Sequence, residues 1–144
     1  MKKFLLFSVM AVLLFWGIGE KLYAQTPLST TQYFRIIDNI AYPIPQQEAE
    51  SLVNRARTSW NYKTNTIYSK AAPSTSVATL TIKYTTVISG GRPQFDIVGI
   101  SNFSPQNSYN AAWECISATG DLITYQIDYS NMLDSGSRTT SFMP

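Results

Sequence analysis

The spacing of apolar positions changes twice along this chain, and each change marks a different kind of segment. Residues 4–18, from Phe4 to Ile18, are almost all apolar, preceded by Lys2-Lys3 and followed by Glu20-Lys21-Leu22-Tyr23-Ala24. A charged start, an apolar stretch and a small residue at the break are the pattern of a secretory signal peptide cleaved after Ala24. A retained anchor is the rival reading, but a spanning helix needs roughly 20 apolar residues, and Gly17, Gly19 and Glu20 close this run early.

From Leu28 to Trp60 the spacing becomes helical. Ser29 can cap a helix with Gln32 reaching back and Leu28 stapled on Tyr33, after which Tyr33, Ile36, Ile37 and Ile40 form a stripe that ends at Pro43. The same β-branched isoleucines fit a strand over residues 33–40, but the cap and the stripe favour the helix. Pro45 suits the first position of a second helix. Glu48 and Glu50 sit early in it and Arg55 and Arg57 late, as the dipole favours, while Ala49, Leu52, Val53, Ala56 and Trp60 repeat on one face.

Beyond Tyr62 the period drops to two. Tyr62–Lys70 alternates weakly, as an edge strand would, and Val77–Ile88 alternates well. Gly90-Gly91 is a natural two-residue hairpin loop and sets Tyr84 opposite Ile97, Thr85 opposite Asp96 and Thr86 opposite Phe95. A second hairpin joins Ala111–Ala118 to Leu122–Ser130. A two-residue loop would put Glu114 on the apolar face, where an unpaired carboxylate costs several kcal/mol. A three-residue loop at Thr119-Gly120-Asp121 avoids this and pairs Trp113 with Ile127, Glu114 with Gln126 and Cys115 with Tyr125.

The expected fold is therefore α+β. Two N-terminal helices pack on one face of a four- to five-stranded antiparallel meander, with Leu80, Ile82, Tyr84, Phe95, Ile97, Trp113, Ile123, Tyr125, Ile127 and Tyr129 sharing that face. In outline this resembles the cystatin-like and NTF2-like architectures, although no motif ties the chain to either. Residues 1–24 are read as signal, 25–133 as one domain and 134–144 as a flexible, aperiodic tail.

Removing residues 1–24 changes the charge picture. The formal +2 belongs to the signal, since the remainder carries eight basic and eight acidic residues. A near-neutral chain without a basic cluster argues against a nucleic-acid partner. Ser, Thr, Asn and Gln supply 45 of those 120 residues, so solubility rests on uncharged polarity.

Candidate chemistry is narrowed mainly by absences. There is no histidine and one cysteine, which removes Ser-His-Asp and Cys-His catalysis and His- or thiolate-ligated metal sites. No Ser-x-x-Lys or glycine-rich phosphate loop occurs. Cys115, between Glu114 and Ile116, reads as a small buried hydrophobe. Glu114 and Asp128 are expected on one polar sheet face, with Asp96 facing the same way on another strand. Such carboxylates could in principle act on a glycosidic bond, but on a wet face they are ordinary solvated acids. Tyr84, Trp113, Tyr125 and Tyr129 could line a ligand pocket between sheet and helices, or fill a core. Asn102-Phe103-Ser104 matches a glycosylation sequon followed by Pro105.

The functional expectation is an exported, non-catalytic module, periplasmic or extracellular and of bacterial type, that binds another envelope or extracellular protein. It would be an assembly component or an inhibitor, with Tyr62–Lys70 as the edge a partner strand would join. No cofactor, metal or membrane span after signal cleavage is expected. The alternatives are a small-molecule binder or minor enzyme using an aromatic cavity, and a structural subunit of a surface fibre.

Overall fold

A computed structural model describes residues 33–144, in which 63% of residues lie in strands and 9% in a single helix. The signal segment and the cap over Leu28–Gln32 lie outside the described residues. The α+β expectation of two helices on one meander is overturned, along with its cystatin-like or NTF2-like outline. Among the described residues there are one short helix and two antiparallel sheets.

Residues 33–44 account for the first correction. They form β1 (Tyr33–Ile37) and β2 (Ile40–Ile44), paired antiparallel with Ile37 opposite Ile40. Between them Asp38 and Asn39 both adopt positive φ, 51° and 62°, which a tight hairpin requires and which Asp and Asn tolerate better than other side chains. β1 is an interior strand covered on both faces. Phe34 and Ile36 are buried on one side and Tyr33 on the other. Burial on both faces erases the alternation expected of a half-exposed strand and leaves a pattern that mimics a helical stripe. Pro43 is tolerated because β2 is an edge strand.

The helix α1 (Gln46–Arg55) follows, with Pro45 as its extended N-cap residue and Ala49 and Val53 buried. Its C-terminal end closes with Arg57 N–H on the Asn54 carbonyl and Thr58 N–H on the Val53 carbonyl. That is the Schellman pattern, with Arg57 in the left-handed region at φ 53°.

The remaining strands are β3 (Asn61–Tyr68), β4 (Ser76–Ser89), β5 (Arg92–Pro105), β6 (Asn110–Ala118), β7 (Ile123–Ser130) and β8 (Ser135–Phe142). Sheet order is β2-β1-β5-β4-β3 in one layer and β6-β7-β8 in the other. Gly90 and Gly91 make the β4–β5 turn, at φ 58° and 77°, and Thr86 faces Phe95 as expected. Then β5 carries an extra residue, so that Tyr84 meets Val98 instead of Ile97. This bulge turns Ile97 to the helix side, where it packs with Tyr33, Ala49 and Val53. A second extra residue in β5 lies between the Thr81–Asn102 and Ile82–Ile100 pairs.

In the other layer, Trp113–Ile127, Glu114–Gln126 and Cys115–Tyr125 pair as the buried-carboxylate argument requires. An extra residue at Ile116 then makes the loop one residue longer, with Ala118 opposite Ile123. The layers meet in a continuous core that takes Leu80, Ile82, Tyr84 and Phe95 from the wide sheet. The narrow sheet supplies Cys115, Ile123, Tyr125, Ile127 and Tyr129.

Residues 134–144, read from sequence as a flexible tail, instead supply β8, paired with β7 from Ser130–Ser135 to Ile123–Phe142. Glycine is needed at Gly136, because a Cβ there would stand 2.6 Å from the Tyr129 hydroxyl. β8 also runs beside the β3 edge. Asn65 Nδ2 donates to Thr140 Oγ1 (2.8 Å) and Arg138 Nε to the Tyr68 carbonyl (3.1 Å). The β3 edge is thereby screened, and among the described residues the open edges are β2 and β6.

Candidate functional site

The four aromatic candidates do not surround a hollow. Tyr84, Tyr125 and Tyr129 are buried in the interlayer core, and Trp113 packs against it half-exposed. Tyr84 stacks edge-on against Phe95 (5.0 Å between centroids). Trp113 stacks similarly on Tyr125 (5.9 Å) and Tyr125 on Phe142 (6.1 Å). Tyr129 meets Tyr109 at 5.6 Å. These T-shaped pairs are the packing that aromatic quadrupoles favour. None of the four touches α1, because sheet β6-β7-β8 occupies the face assigned to helices.

Of the three carboxylates, Glu114 and Asp128 line no cleft, and Asp96 borders an open space beside the end of α1. Glu114 and Asp128 are exposed on the outer surface of the narrow sheet, where Asp128 accepts from Gln126 Nε2 (3.0 Å) and Ser137 Oγ. Asp96 lies on the wide sheet beside Arg35, their nearest atoms 4.0 Å apart. Cys115 is 2% exposed, and burial pushes its thiol up to about 12 against a backbone hydrogen bond at Ser117 that lowers it. A thiol so protonated is not a nucleophile at neutral pH. Among the described residues no group of three or more Cys, Asp or Glu side chains is placed to hold a metal.

On the helix side, α1 is fastened by an ionic clamp that sequence reasoning missed. Lys83 Nζ donates to Glu50 Oε1 at 2.7 Å, and Trp60 Nε1 to Glu50 Oε2 at 3.1 Å. The same ammonium lies 4.6 Å from the Trp60 ring centroid and 5.2 Å from that of Tyr33, a cation–π arrangement. Burial alone would lower the Lys83 ammonium, but Glu50 and Tyr33 together hold it above its ordinary value. Lys83's bond, then Trp60's, keeps the Glu50 carboxyl below the usual carboxylate range.

The most unusual arrangement lies where three loops meet at one end of the molecule. Ser69 is fully buried. Its hydroxyl accepts from the backbone N–H groups of Ala71 (3.1 Å) and Ala72 (3.0 Å) and donates to Asp134 Oδ2 at 2.5 Å. Tyr109 donates to the same oxygen at 2.8 Å. The two bonds, Ser69's first, draw the Asp134 carboxyl below its ordinary range, and the bond to Asp134 raises the Tyr109 phenol. A hydroxyl without solvent exposure cannot reach a substrate, so this Ser–Asp–Tyr cluster is a brace and not a catalytic unit.

What it braces is the β7–β8 loop. Asn131 Oδ1 accepts from Leu133 N–H (2.9 Å) and Asp134 N–H (2.7 Å), and Asn131 N–H donates to the Asp134 carbonyl (2.8 Å). The turn so formed presents Met132 at 100% and Leu133 at 95% exposure. Ile88, the next most exposed large apolar side chain at 73%, lies within the paired length of β4. Two apolar side chains between turn-forming Asn131 and Asp134 were the available sequence signal. Their bracing was not, because Ser69 and Asp134 are 65 positions apart.

No family model, no curated protein and no solved structure matches this chain. Its site is therefore read from the geometry alone.

Proposed function

We propose that the protein is an exported, non-catalytic module that docks on another envelope or extracellular protein through the β7–β8 loop. The observation that carries this reading is the pair Met132–Leu133, wholly exposed on a turn held in one shape by Asn131, Asp134, Ser69 and Tyr109. An apolar pair in water gains roughly 1.5–3 kcal/mol per side chain when a partner buries it. Holding the loop in advance removes much of the ordering cost of binding.

Strand addition at Tyr62–Lys70 draws less support, because β8 flanks that edge. The open edges carry their own obstacles to pairing: Pro43 in β2 and the extra residue at Ile116 in β6. The aromatic-cavity reading draws none, since those side chains fill the core. Export rests on the residue pattern of 1–24.

The test is photo-crosslinking from a benzophenone amino acid at Met132 in cells producing the full chain, with Asp128 on the outer face of β7 as the control position. A discrete adduct with a different protein, formed from 132 alone and lost when Leu133→Ser is added, is the expected result. Adducts only with a second copy would favour the fibre reading, and adducts with lipid alone would replace the partner protein by a membrane surface.

A further inference from the structure

Beyond the last turn of α1, on the helix side of the wide sheet, lies a cavity of about 340 Å³. Leu52, Val53 and Val87 give it apolar walls, and Arg35, Arg55 and Asp96 give it charge. The volume is at the lower end of the range for small-molecule sites. The β5 bulge opens this space by bringing Asp96 and Ile97 together opposite Thr85, whose hydroxyl accepts the Ile97 N–H at 3.3 Å.

Its electrostatics are incomplete. The Arg35 side chain is 41% exposed, its Nε has no hydrogen-bond acceptor, and the Asp96 oxygen stands 4.0 Å off, past hydrogen-bond range. Two arginines and one aspartate border the space, a formal excess of one positive charge. The planar fork of arginine matches a carboxylate in two parallel bonds. A doubly charged phosphate ester would overshoot the single excess charge and meet Asp96, whereas a monocarboxylate balances it. We infer that this cavity is a binding site for a small organic carboxylate. Its acid head lies on Arg35 and Arg55, and its hydrocarbon tail against Leu52, Val53 and Val87.

The inference is independent of the loop reading and is tested by methyl NMR of the protein purified from cells expressing the full chain, titrated with hexanoate. Acetate supplies the head alone and hexan-1-ol the tail alone. The expected result is saturable hexanoate binding with shifts concentrated at Val53 and Val87, and acetate and hexanol each weaker by about tenfold or more. Arg35→Gln lowers hexanoate affinity by a similar factor and leaves the hexanol response unchanged. Val87→Trp, at a half-exposed wall position, blocks hexanoate by filling the space and leaves both arginines intact. Absence of saturable shifts at Val53 and Val87, or unchanged affinity in both variants, overturns the inference. An acetylated dipeptide ending in a leucine carboxylate separates the two sources of such a head group. Binding tighter than hexanoate overturns the free-acid assignment in favour of a polypeptide C-terminus, and weaker binding supports it.

Discussion

The two faces of the five-stranded sheet are held by different forces. Toward β6-β7-β8 the contact is dry: Leu80, Ile82, Val98, Tyr125 and Ile127 have no solvent exposure, and the aromatics close on one another edge to face. Toward α1 only Tyr33, Ala49, Val53 and Ile97 are buried, and the Lys83–Glu50 clamp completes the attachment. A ten-residue helix cannot cover a face that a three-stranded sheet can. The interlayer face therefore supplies stability. The helix face leaves an open space bordered by Arg35, Arg55 and Asp96.

The sharpest way to break this comparison uses the same substitution on both faces. Ile127→Ala should cost about 4–5 kcal/mol, because it opens a sealed void between packed layers. Ile97→Ala should cost about 2–3 kcal/mol, because Ile97 already borders the open cavity. Urea midpoints at constant m-value would measure both. Equal costs would mean that the helix face is packed as tightly as the other.

Next in size is the response to pH, to which each face contributes its own groups. The Cys115 thiol lies in the interlayer core, raised to about 12 by burial. Its contribution is intact below the ordinary thiol value near 9 and disappears as pH climbs toward 12. At its full extent this is about 4 kcal/mol. Cys115→Ala should remove the part of the alkaline loss that begins near 9. Burial also raises Tyr125 well above its ordinary value, and on the helix side Glu50 and Tyr33 raise Lys83, so the part beginning near 10 remains. On the helix side the Glu50 carboxyl is lowered, so its contribution is present above about 4.5 and disappears as pH falls further. Glu50→Gln should flatten that acid dependence only in part, because Asp134, lowered by Ser69 and Tyr109, also loses its contribution below its ordinary 3.8. Thermal midpoints across both pH ranges would decide.

The smallest expected effect concerns one oxygen. The Tyr125 hydroxyl is buried in the interlayer core without a hydrogen-bond partner. Tyr125→Phe should leave stability unchanged or raise it by up to about 1 kcal/mol, measured by urea unfolding. A clear loss would reveal a polar role for that hydroxyl within the core.

Much of the local structure can be read in the residues. Gly90-Gly91 forces the β4–β5 turn, and the cost of burying Glu114 is enough to choose the β6–β7 register. The α1 stripe is equally plain. The β1–β2 hairpin is not, because a strand buried on both faces loses its period. β8 is not either, since its run of Ser, Gly, Thr and Arg gains a hydrophobic anchor only at Phe142. One extra residue in β5 reversed the side on which Ile97 lies, and nothing in the local pattern marks it. Of the candidate site, Met132 and Leu133 are visible as an apolar pair between turn formers, whereas Ser69 and Tyr109 are unremarkable until the loops meet.

Periodicity and turn chemistry act over a few residues, so the chain alone specifies most strands, the helix and part of the register in two hairpins. Division into two sheets, the covering of each face, the screening of β3 and the meeting of Arg35 with Asp96 depend on segments far apart in sequence. Such contacts are selected by total burial and polar satisfaction across the whole fold, and no single stretch of residues carries that information.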